Sequence, residues 1–135
     1  MEISFRVVGV PAPQGSKRHV GRGILVESSK KVKPWRQDVA TAALGARNGR
    51  PPLDGPIAIQ IDFYLPRPKS APKRRMYPDR KPDIDKLVRS TLDAIVTAGL
   101  IRDDGQVCSL VAYKFFPGDE PLGAAVLVHT MEAPR

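Results

Sequence analysis

The most informative stretch of this chain is DIDKLVRSTLDAIVTAGLIRDDGQVCSLVAYKFF, which runs from Asp83 to Phe116. Apolar residues recur every three or four positions from Ile84 to Val96, and this spacing predicts an amphipathic helix. Gly99 suits the left-handed conformation that ends many helices. After the turn IRDDGQ, apolar residues alternate along VCSLVAYKFF, which predicts a strand. The stretch therefore predicts a helix, a tight turn and a strand.

The N-terminal half of the chain predicts two strands and a further helix. Residues 3–10 alternate and are rich in β-branched side chains, and residues 24–28 predict a short second strand. The helix that follows has an apolar stripe from Trp35 to Ala46. Ser28 or Ser29 is placed to cap this helix. Pro34 predicts that its regular part begins there, since proline suits a first helical turn.

Two further strands complete the fold. Residues 57–65 form the clearest alternating run, with Ile57, Ile59, Ile61 and Phe63 on one face, and residues 124–131 predict the last strand. The order β(β)αβαββ indicates an α/β (α+β) fold. We expect one small domain over residues 1–135, with two main helices on a mixed sheet.

The charge balance of the chain favours a polyanionic partner. Its 135 residues carry 22 Lys and Arg against 14 Asp and Glu, which gives a formal net charge of +8. Such an excess attracts nucleic acid or an anionic membrane surface. No apolar run approaches the ~20 residues of a membrane-spanning helix, and the N-terminus lacks the pattern of a signal peptide. We therefore expect a cytoplasmic protein with no membrane partner.

Metal sites built from thiolates or imidazoles are not expected. Cys108 is the only cysteine, so neither an internal disulfide nor a thiolate cluster can form. Its place in an apolar alternating run predicts a small buried side chain. His19 and His129 are isolated in the sequence, and we expect neither to bind a metal.

Basic residues gather in two segments that we expect to contact a polyanion such as nucleic acid. The first is the loop after the first strand. The second is the basic loop, residues 66–82, where seven Lys and Arg, five Pro and one acid predict an exposed, mobile segment. Such charges bind phosphates without reading base sequence. The candidate DNA contacts are Lys17, Arg18, Arg22, Lys69, Lys73, Arg74, Arg75, Arg80 and Lys81.

Acidic residues stand at both ends of the predicted central helix. Asp83 and Asp85 precede it, and Asp103 and Asp104 follow it. Each pair has an ordinary interpretation, because acids near a helix N-terminus complement its dipole and Asp-Asp-Gly is common in turns. Taken together, three or four carboxylates suit a hard cation such as Mg²⁺ or Mn²⁺. In a basic chain, such an ion indicates phosphodiester hydrolysis.

The two sets of acids cannot meet along the helix itself, since about fifteen residues span ~22 Å. Asp83 and Asp104 could meet if the segment after Gly99 returned beside the start of the helix, or if a second subunit supplied one set. The sequence leaves both routes open. Lys86 and Arg89, one turn inside the helix, are placed to hold a phosphate at such a site.

The same residues resemble the RusA family of Holliday junction resolvases. The family pattern is Asp-x-Asp-Asn, a basic residue three or four places later, Leu-Asp-x-Leu, Gly, and then Asp-Asp followed by a small polar residue and Gln-Val. It is matched here by Asp83, Asp85, Arg89, Leu92–Asp93, Gly99, Asp103–Asp104 and Gln106–Val107. The first strand and the segment GVPAPQGSKR also fit the start of the family.

The resemblance implies a homodimer that makes paired, symmetric nicks in four-way DNA junctions during recombination and repair, in bacteria or their phages. It implies Mg²⁺, with Mn²⁺ as an alternative, and products with 5′-phosphate ends. By position, Asp83, Asp85 and Asp104 would be the catalytic, metal-binding carboxylates. Arg89 stands where the family has a catalytic lysine, and Lys86 replaces the usual Asn. Arginine stabilises charge but does not readily give up a proton.

Two acids keep open roles. Asp93 could support the site through a hydrogen bond or be a solvated acid, and Asp103 is a turn residue or an outer partner rather than a metal ligand. Lys86 is another candidate for an outer partner. The alternative function is a non-catalytic basic nucleic-acid-binding protein whose acids are caps and turns. The pairing of acids before and after the helix favours the enzyme, since a pure binder has no use for acids where it attracts phosphate.

Overall fold

A computed structural model of the chain describes residues 1–15, 17–19, 25–27 and 30–132, with only the backbone described at 17–19 and 25–27. The strands are β1 (Glu2–Val8), β2 (Lys17–His19), β3 (Leu25–Glu27), β4 (Ile57–Tyr64), β5 (Val107–Phe115) and β6 (Gly123–Thr130). The helices are α1 (Val32–Arg47) and α2 (Ile84–Thr97), and a short 3-10 helix spans Asp104–Gln106. In this described part of the chain, no helix is long and apolar enough to cross a membrane.

Four strands form one mixed sheet in the order β1-β6-β4-β5, and β2 pairs with β3 in a separate ribbon. β6 is antiparallel to both of its neighbours, whereas β5 is parallel to β4. Two consecutive parallel strands need a long crossover connection, and α2 provides it. The helix therefore runs opposite to β4 and β5, which puts its start near the end of β5.

The core lies between one face of the sheet and the two helices. Ile59 and Phe63 of β4 are buried there. The ring nitrogen of Trp35 in α1 donates a 3.2 Å hydrogen bond to the hydroxyl of Thr91 in α2, which in turn donates to the carbonyl oxygen of Leu87 at 2.8 Å. The buried polar atoms of Trp35 and Thr91 are thus satisfied where the helices pack together.

The predicted fold is confirmed as a small α+β domain with a mixed sheet and two helices. The start of α1 differs from the prediction. It begins at Val32 and has Pro34 in its first turn, where the missing N–H group would have no intrahelical acceptor. The prediction of a serine cap was wrong: Lys31 is the N-cap residue, without a side-chain capping bond. Ser28 and Ser29 lie outside the described residues.

The prediction that Cys108 is buried was also wrong. Cys108 is exposed, because β5 is an edge strand that pairs with β4 on one side only. The alternation in VCSLVAYKFF suggests one buried face, yet residues 108–111 are exposed on both faces. Alternation predicts a strand but does not say whether that strand is central or at an edge.

Candidate active site

Asp83 and Asp85 stand together where α2 begins. Asp83 is the N-cap residue and has an extended backbone, but its side chain makes no capping hydrogen bond. Asp85 lies in the first turn, and both residues are exposed. The ammonium of Lys86 lies 3.6 Å from a carboxylate oxygen of Asp83. Both carboxylates are therefore accessible to a ligand, and that of Asp83 is not committed to capping.

The segment that follows β1 packs along the first turns of α2. The Ser90 hydroxyl donates a 2.6 Å hydrogen bond to the carbonyl oxygen of Ala12, and the Gln14 backbone N–H donates one of 3.0 Å to the carbonyl oxygen of Lys86. The side-chain amide of Gln14 donates a 2.5 Å bond to a carboxylate oxygen of Asp93. Asp93 therefore holds this segment against the helix instead of pointing freely into solvent.

Arg89 lies against the backbone of Gly15. Gly15 has a left-handed φ of 101°, and a Cβ at this position would collide with the Arg89 guanidinium. Glycine adopts this φ without strain, and its lack of a side chain leaves room for the Arg89 guanidinium. Arg89 is exposed and lies one helical turn after Asp85, so the two side chains share one side of α2. A cation and the acid pair thus stand beside each other.

Lys114, near the end of β5, was not predicted as a site residue. Its Nζ atom donates hydrogen bonds of 2.8 Å and 2.9 Å to the carbonyl oxygens of Arg80 and Pro82. Burial lowers the pKa of Lys114, and the negative charge of nearby Asp83 opposes that effect. A single lysine inside the apolar run VCSLVAYKFF is the signal that could have found it. Lys114 joins the edge strand to the residue before the acid pair.

The basic loop, residues 66–82, is largely exposed, but its own side chains form hydrogen bonds and ring contacts that hold its conformation. Arg67 donates hydrogen bonds to the carbonyl oxygens of Arg75 at 2.9 Å and Pro72 at 2.7 Å, and its guanidinium lies 4.7 Å from the centre of the Phe116 ring. Arg75 forms a 2.9 Å salt bridge with Asp79, and its hydrogen bond lowers the pKa of that carboxyl. The loop therefore has internal contacts that its composition alone did not predict.

Most of the predicted DNA contacts on this loop point into solvent. The exposed ones are Lys69, Lys73, Arg74, Arg80 and Lys81. A cleft of about 270 Å³ opens beside Pro82 and has Lys31, Arg75 and Lys81 in its lining. The side chains of Lys17 and Arg18, and the whole of Arg22, lie outside the described residues.

Asp104 lies at the other end of α2. It begins the 3-10 helix and is exposed. Asp103 is the N-cap residue of that helix, which is the position of a turn residue. The side chain of Gln106 anchors the turn. Its oxygen accepts a 2.7 Å hydrogen bond from the Arg102 backbone N–H, and its amide donates one of 2.9 Å to the Leu53 carbonyl. Asp104 is thus held near the start of β4.

One chain does not bring Asp104 to Asp83 and Asp85. α2 has 14 residues, a length of ~21 Å. β5 does return beside the start of α2, but Asp104 comes before this strand and stays at its far end. Within residues 1–15, 17–19, 25–27 and 30–132, no group of three or more His, Cys, Asp or Glu could hold a metal ion. Among the described residues, the acids at the two ends of α2 therefore form no common group within one chain.

Comparison with known proteins covers most of the chain. The family described as "Endodeoxyribonuclease RusA" matches residues 8–128. This range includes the basic loop and the acids at both ends of α2. The chain is also 33% identical over 133 residues to "Uncharacterized protein YqaN" of Bacillus subtilis (strain 168). That match covers 88% of this chain and 90% of the relative.

Proposed function

The chain belongs to the RusA family of endodeoxyribonucleases, and we propose that it resolves four-way DNA junctions by metal-dependent, paired and symmetric nicks. The observation that carries this proposal is that the basic loop leads directly into the acid pair along the chain. Pro82 ends the basic loop, and Asp83 follows as the first residue of the acidic site. Exposed lysines and arginines hold the sugar-phosphate backbone of DNA. The adjacent carboxylates then lie close to the phosphodiester bond that is hydrolysed.

The donor set fits Mg²⁺, with Mn²⁺ as the alternative. Asp83 and Asp85 offer exposed carboxylate oxygens, no cysteine or histidine stands beside them in the sequence, and hard cations prefer oxygen ligands. A bound divalent ion would supply an activated water and neutralise charge on the phosphate. Asp83, Asp85 and Asp104 are the residues that would hold it.

The third carboxylate comes from a partner copy of the chain. Asp104 lies at the far end of α2 from Asp83 and Asp85, so two copies can form two complete sites where one copy forms none. Two such sites in a symmetric homodimer suit a four-way junction, because strands of opposite arms present equivalent phosphates to the two subunits. Paired nicks then leave two duplexes with 5′-phosphate ends that a ligase can join.

Arg89 and Lys86 act on the phosphate through their charge. Arg89 is exposed beside the acid pair, and its guanidinium lies against the backbone of Gly15. A guanidinium remains protonated at any physiological pH and can bind two phosphate oxygens at once, so Arg89 stabilises negative charge at the cleaved phosphate. Lys86 lies close to Asp83 and supports the placement of that carboxylate.

This activity belongs to DNA recombination and repair. Junctions of this kind form in chromosomal or phage DNA, which places the enzyme in the cytoplasm of a bacterial cell.

The test uses a synthetic four-way junction with one strand labelled, incubated with and without Mg²⁺. We expect symmetric nicks that DNA ligase can seal, and loss of cleavage with retained binding in Asp83→Asn and Asp85→Asn. Asp119→Asn, in the exposed turn between β5 and β6, is the matched control and should cut normally. Junction binding without cleavage in Mg²⁺ and in Mn²⁺ would instead support the non-catalytic nucleic-acid-binding protein.

A further inference from the structure

Four aromatic rings lie together on the open face of the sheet, where β4 and β5 end. Phe63 of β4 is buried against the helices, so Tyr64 points to the open face, and Phe115 of β5 is its partner in the register. The centre of the Phe115 ring lies 5.8 Å from that of Tyr64 and 5.6 Å from that of Tyr113, and both pairs are stacked. The ring of Tyr77, in the basic loop, lies 6.1 Å from that of Phe115. We call Tyr64, Tyr77, Tyr113 and Phe115 the aromatic cluster.

Two rings of the aromatic cluster are open to solvent. Tyr77 is 61% exposed and Tyr113 is 49% exposed, whereas Tyr64 and Phe115 are half-buried. Large apolar side chains that are exposed together mark a binding surface more often than single exposed residues do. The aromatic cluster therefore offers a flat, accessible surface to a ligand.

Phe116, the next residue in the chain, shows how a ring with a structural role is arranged. The guanidinium groups of Arg67 and Arg75 lie over this ring, at 4.7 Å and 5.4 Å from its centre. These contacts connect Phe116 to the basic loop and cover it. Tyr77 and Tyr113 remain about half exposed or more, so holding the loop in place does not account for them.

Cations border the aromatic cluster. The guanidinium of Arg6 lies 5.5 Å from the centre of the Tyr64 ring and forms a 2.5 Å salt bridge with Glu120. Arg74 of the basic loop is exposed, three residues before Tyr77. An aromatic surface beside positive charges suits a nucleotide, because the base can stack on a ring while the phosphate meets a cation.

The aromatic cluster and the acid pair lie at the same end of the sheet, on opposite faces. Lys114 stands between the two ring-bearing residues of β5, so its side chain points to the helix side, where it contacts the carbonyl oxygen of Pro82. Tyr77 belongs to the loop that leads to Asp83. A DNA strand held at the acid pair can therefore follow the basic loop around the end of the sheet to the rings.

We propose that the aromatic cluster is a stacking site for unpaired nucleobases of a DNA strand, with Tyr77 and Tyr113 as the rings that contact them. The inference rests on the proposed function, which supplies DNA as the ligand. Stacking on an aromatic side chain replaces the base-base contacts that a nucleotide loses when it leaves a duplex. The aromatic cluster thus favours branched or single-stranded DNA over a continuous duplex, in which every base is already stacked.

Binding of single-stranded DNA tests the role of the rings. The probe is a fluorescently labelled oligothymidylate, which forms no base pairs, and fluorescence anisotropy without Mg²⁺ measures its affinity. We expect Tyr113→Leu, which keeps an apolar side chain but removes the ring, to weaken binding at least about fivefold, the lower end of the effect of one stacked base. Tyr77→Leu should show a similar loss. Leu44→Ala, at an exposed apolar position of α1, is the matched control and should bind as the parent does.

The conservative variant Tyr113→Phe separates the ring from the hydroxyl group. It keeps the stacking surface, so we expect its affinity for oligothymidylate to stay close to that of the parent. Equal losses in Tyr113→Phe and Tyr113→Leu would overturn the stacking site. An equal loss of affinity for a fully paired duplex in Tyr113→Leu would also overturn it, because the substitution would then act on backbone binding or on the fold.

Light scattering and junction cleavage on the same samples separate the remaining outcomes. A change of oligomeric state in Tyr113→Leu would overturn the stacking site, since the rings would then belong to a protein interface. If ring removal leaves oligothymidylate binding unchanged while the parent nicks four-way junctions in Mg²⁺, the stacking site is wrong and the proposed function stands. Ring-dependent binding in a protein that nicks no junction would support the stacking site and overturn the proposed function.

Discussion

The side chain of Lys114 donates a 2.9 Å hydrogen bond to the carbonyl oxygen of Pro82. Pro82 directly precedes Asp83, so the position of the acid pair depends on the end of β5 as well as on α2. A residue of the sheet edge thus supports the site without being one of the candidate ligands. The same hydrogen bond fixes the position of the last residue of the basic loop, next to the start of α2.

Replacing Lys114 should weaken both the fold and the site. In Lys114→Met the bonds to the carbonyl oxygens of Arg80 and Pro82 are lost while most of the apolar stem remains. We expect the free energy of unfolding to fall by about 1.5–3 kcal/mol, as for other hydrogen bonds from a charged donor. Urea denaturation measures this change. Lys69→Met, at an exposed loop position, is the control, and its free energy of unfolding should stay within about 0.5 kcal/mol of the parent. Equal losses of unfolding free energy in both variants would show that the hydrogen bonds of Lys114 do not stabilise the fold.

The contribution of Lys114 to the free energy of unfolding should change with pH. Its pKa in the folded chain is lowered by burial from the ordinary value of 10.5. Between the lowered pKa and 10.5 the unfolded chain binds more protons than the folded chain, so the contribution of Lys114 to stability rises with pH in that window. The difference in unfolding free energy between the parent and Lys114→Met should therefore increase in favour of the parent as pH rises toward 10.5. A constant difference over this range would show that the ammonium is not desolvated.

Two inactive variants should restore activity when mixed. If each site takes Asp83 from one subunit and Asp104 from the other, the heterodimer of Asp83→Asn and Asp104→Asn has one site with both changes and one intact site. After subunit exchange, roughly a quarter of the original sites should be active. Single-strand nicking of a labelled junction measures this recovery. Sites built within one subunit would give no recovery, because every site would carry one change.

Gly15→Ala should impair cleavage by displacing Arg89. The added methyl group meets the guanidinium, and alanine is strained at a φ of 101°. We expect the cleavage rate to fall by up to about 100-fold, since small displacements of catalytic groups have effects of that size. Arg89→Ala should show a similar loss, and the double variant little more than either alone.

Gly45→Ala is the control for that substitution. Gly45 lies in α1, and a Cβ there would meet no atom within 4 Å. Alanine favours helix over glycine by roughly 0.5–1 kcal/mol, so Gly45→Ala should be slightly more stable and fully active. A normal cleavage rate in Gly15→Ala would show that the contact with Arg89 has no part in the reaction.

Most of the helices and strands, and the family of the chain, could be predicted from the sequence. Apolar spacing predicts α2, β4 and β5, because local periodicity depends only on which side of a helix or strand is buried. The Asp-x-Asp and Asp-Asp motifs, with Arg89 between them, identify the family and its class of reaction. The prediction of a serine cap for α1 was wrong, since the helix begins at Val32 and Lys31 is its N-cap residue.

The positions of these elements relative to one another could not be predicted from the sequence, because they depend on contacts between distant parts of the chain. A central strand and an edge strand can show the same alternation, so the exposure of Cys108 and of the β5 edge is a property of strand order, which is set by long-range pairing. The same order places Lys114 against Pro82, although 31 residues separate them in the chain. It also places Asp104 at the far end of α2 from Asp83. A helix is rigid, so the two acidic motifs that flank α2 stay about one helix length apart within one chain, although both belong to the same sequence pattern.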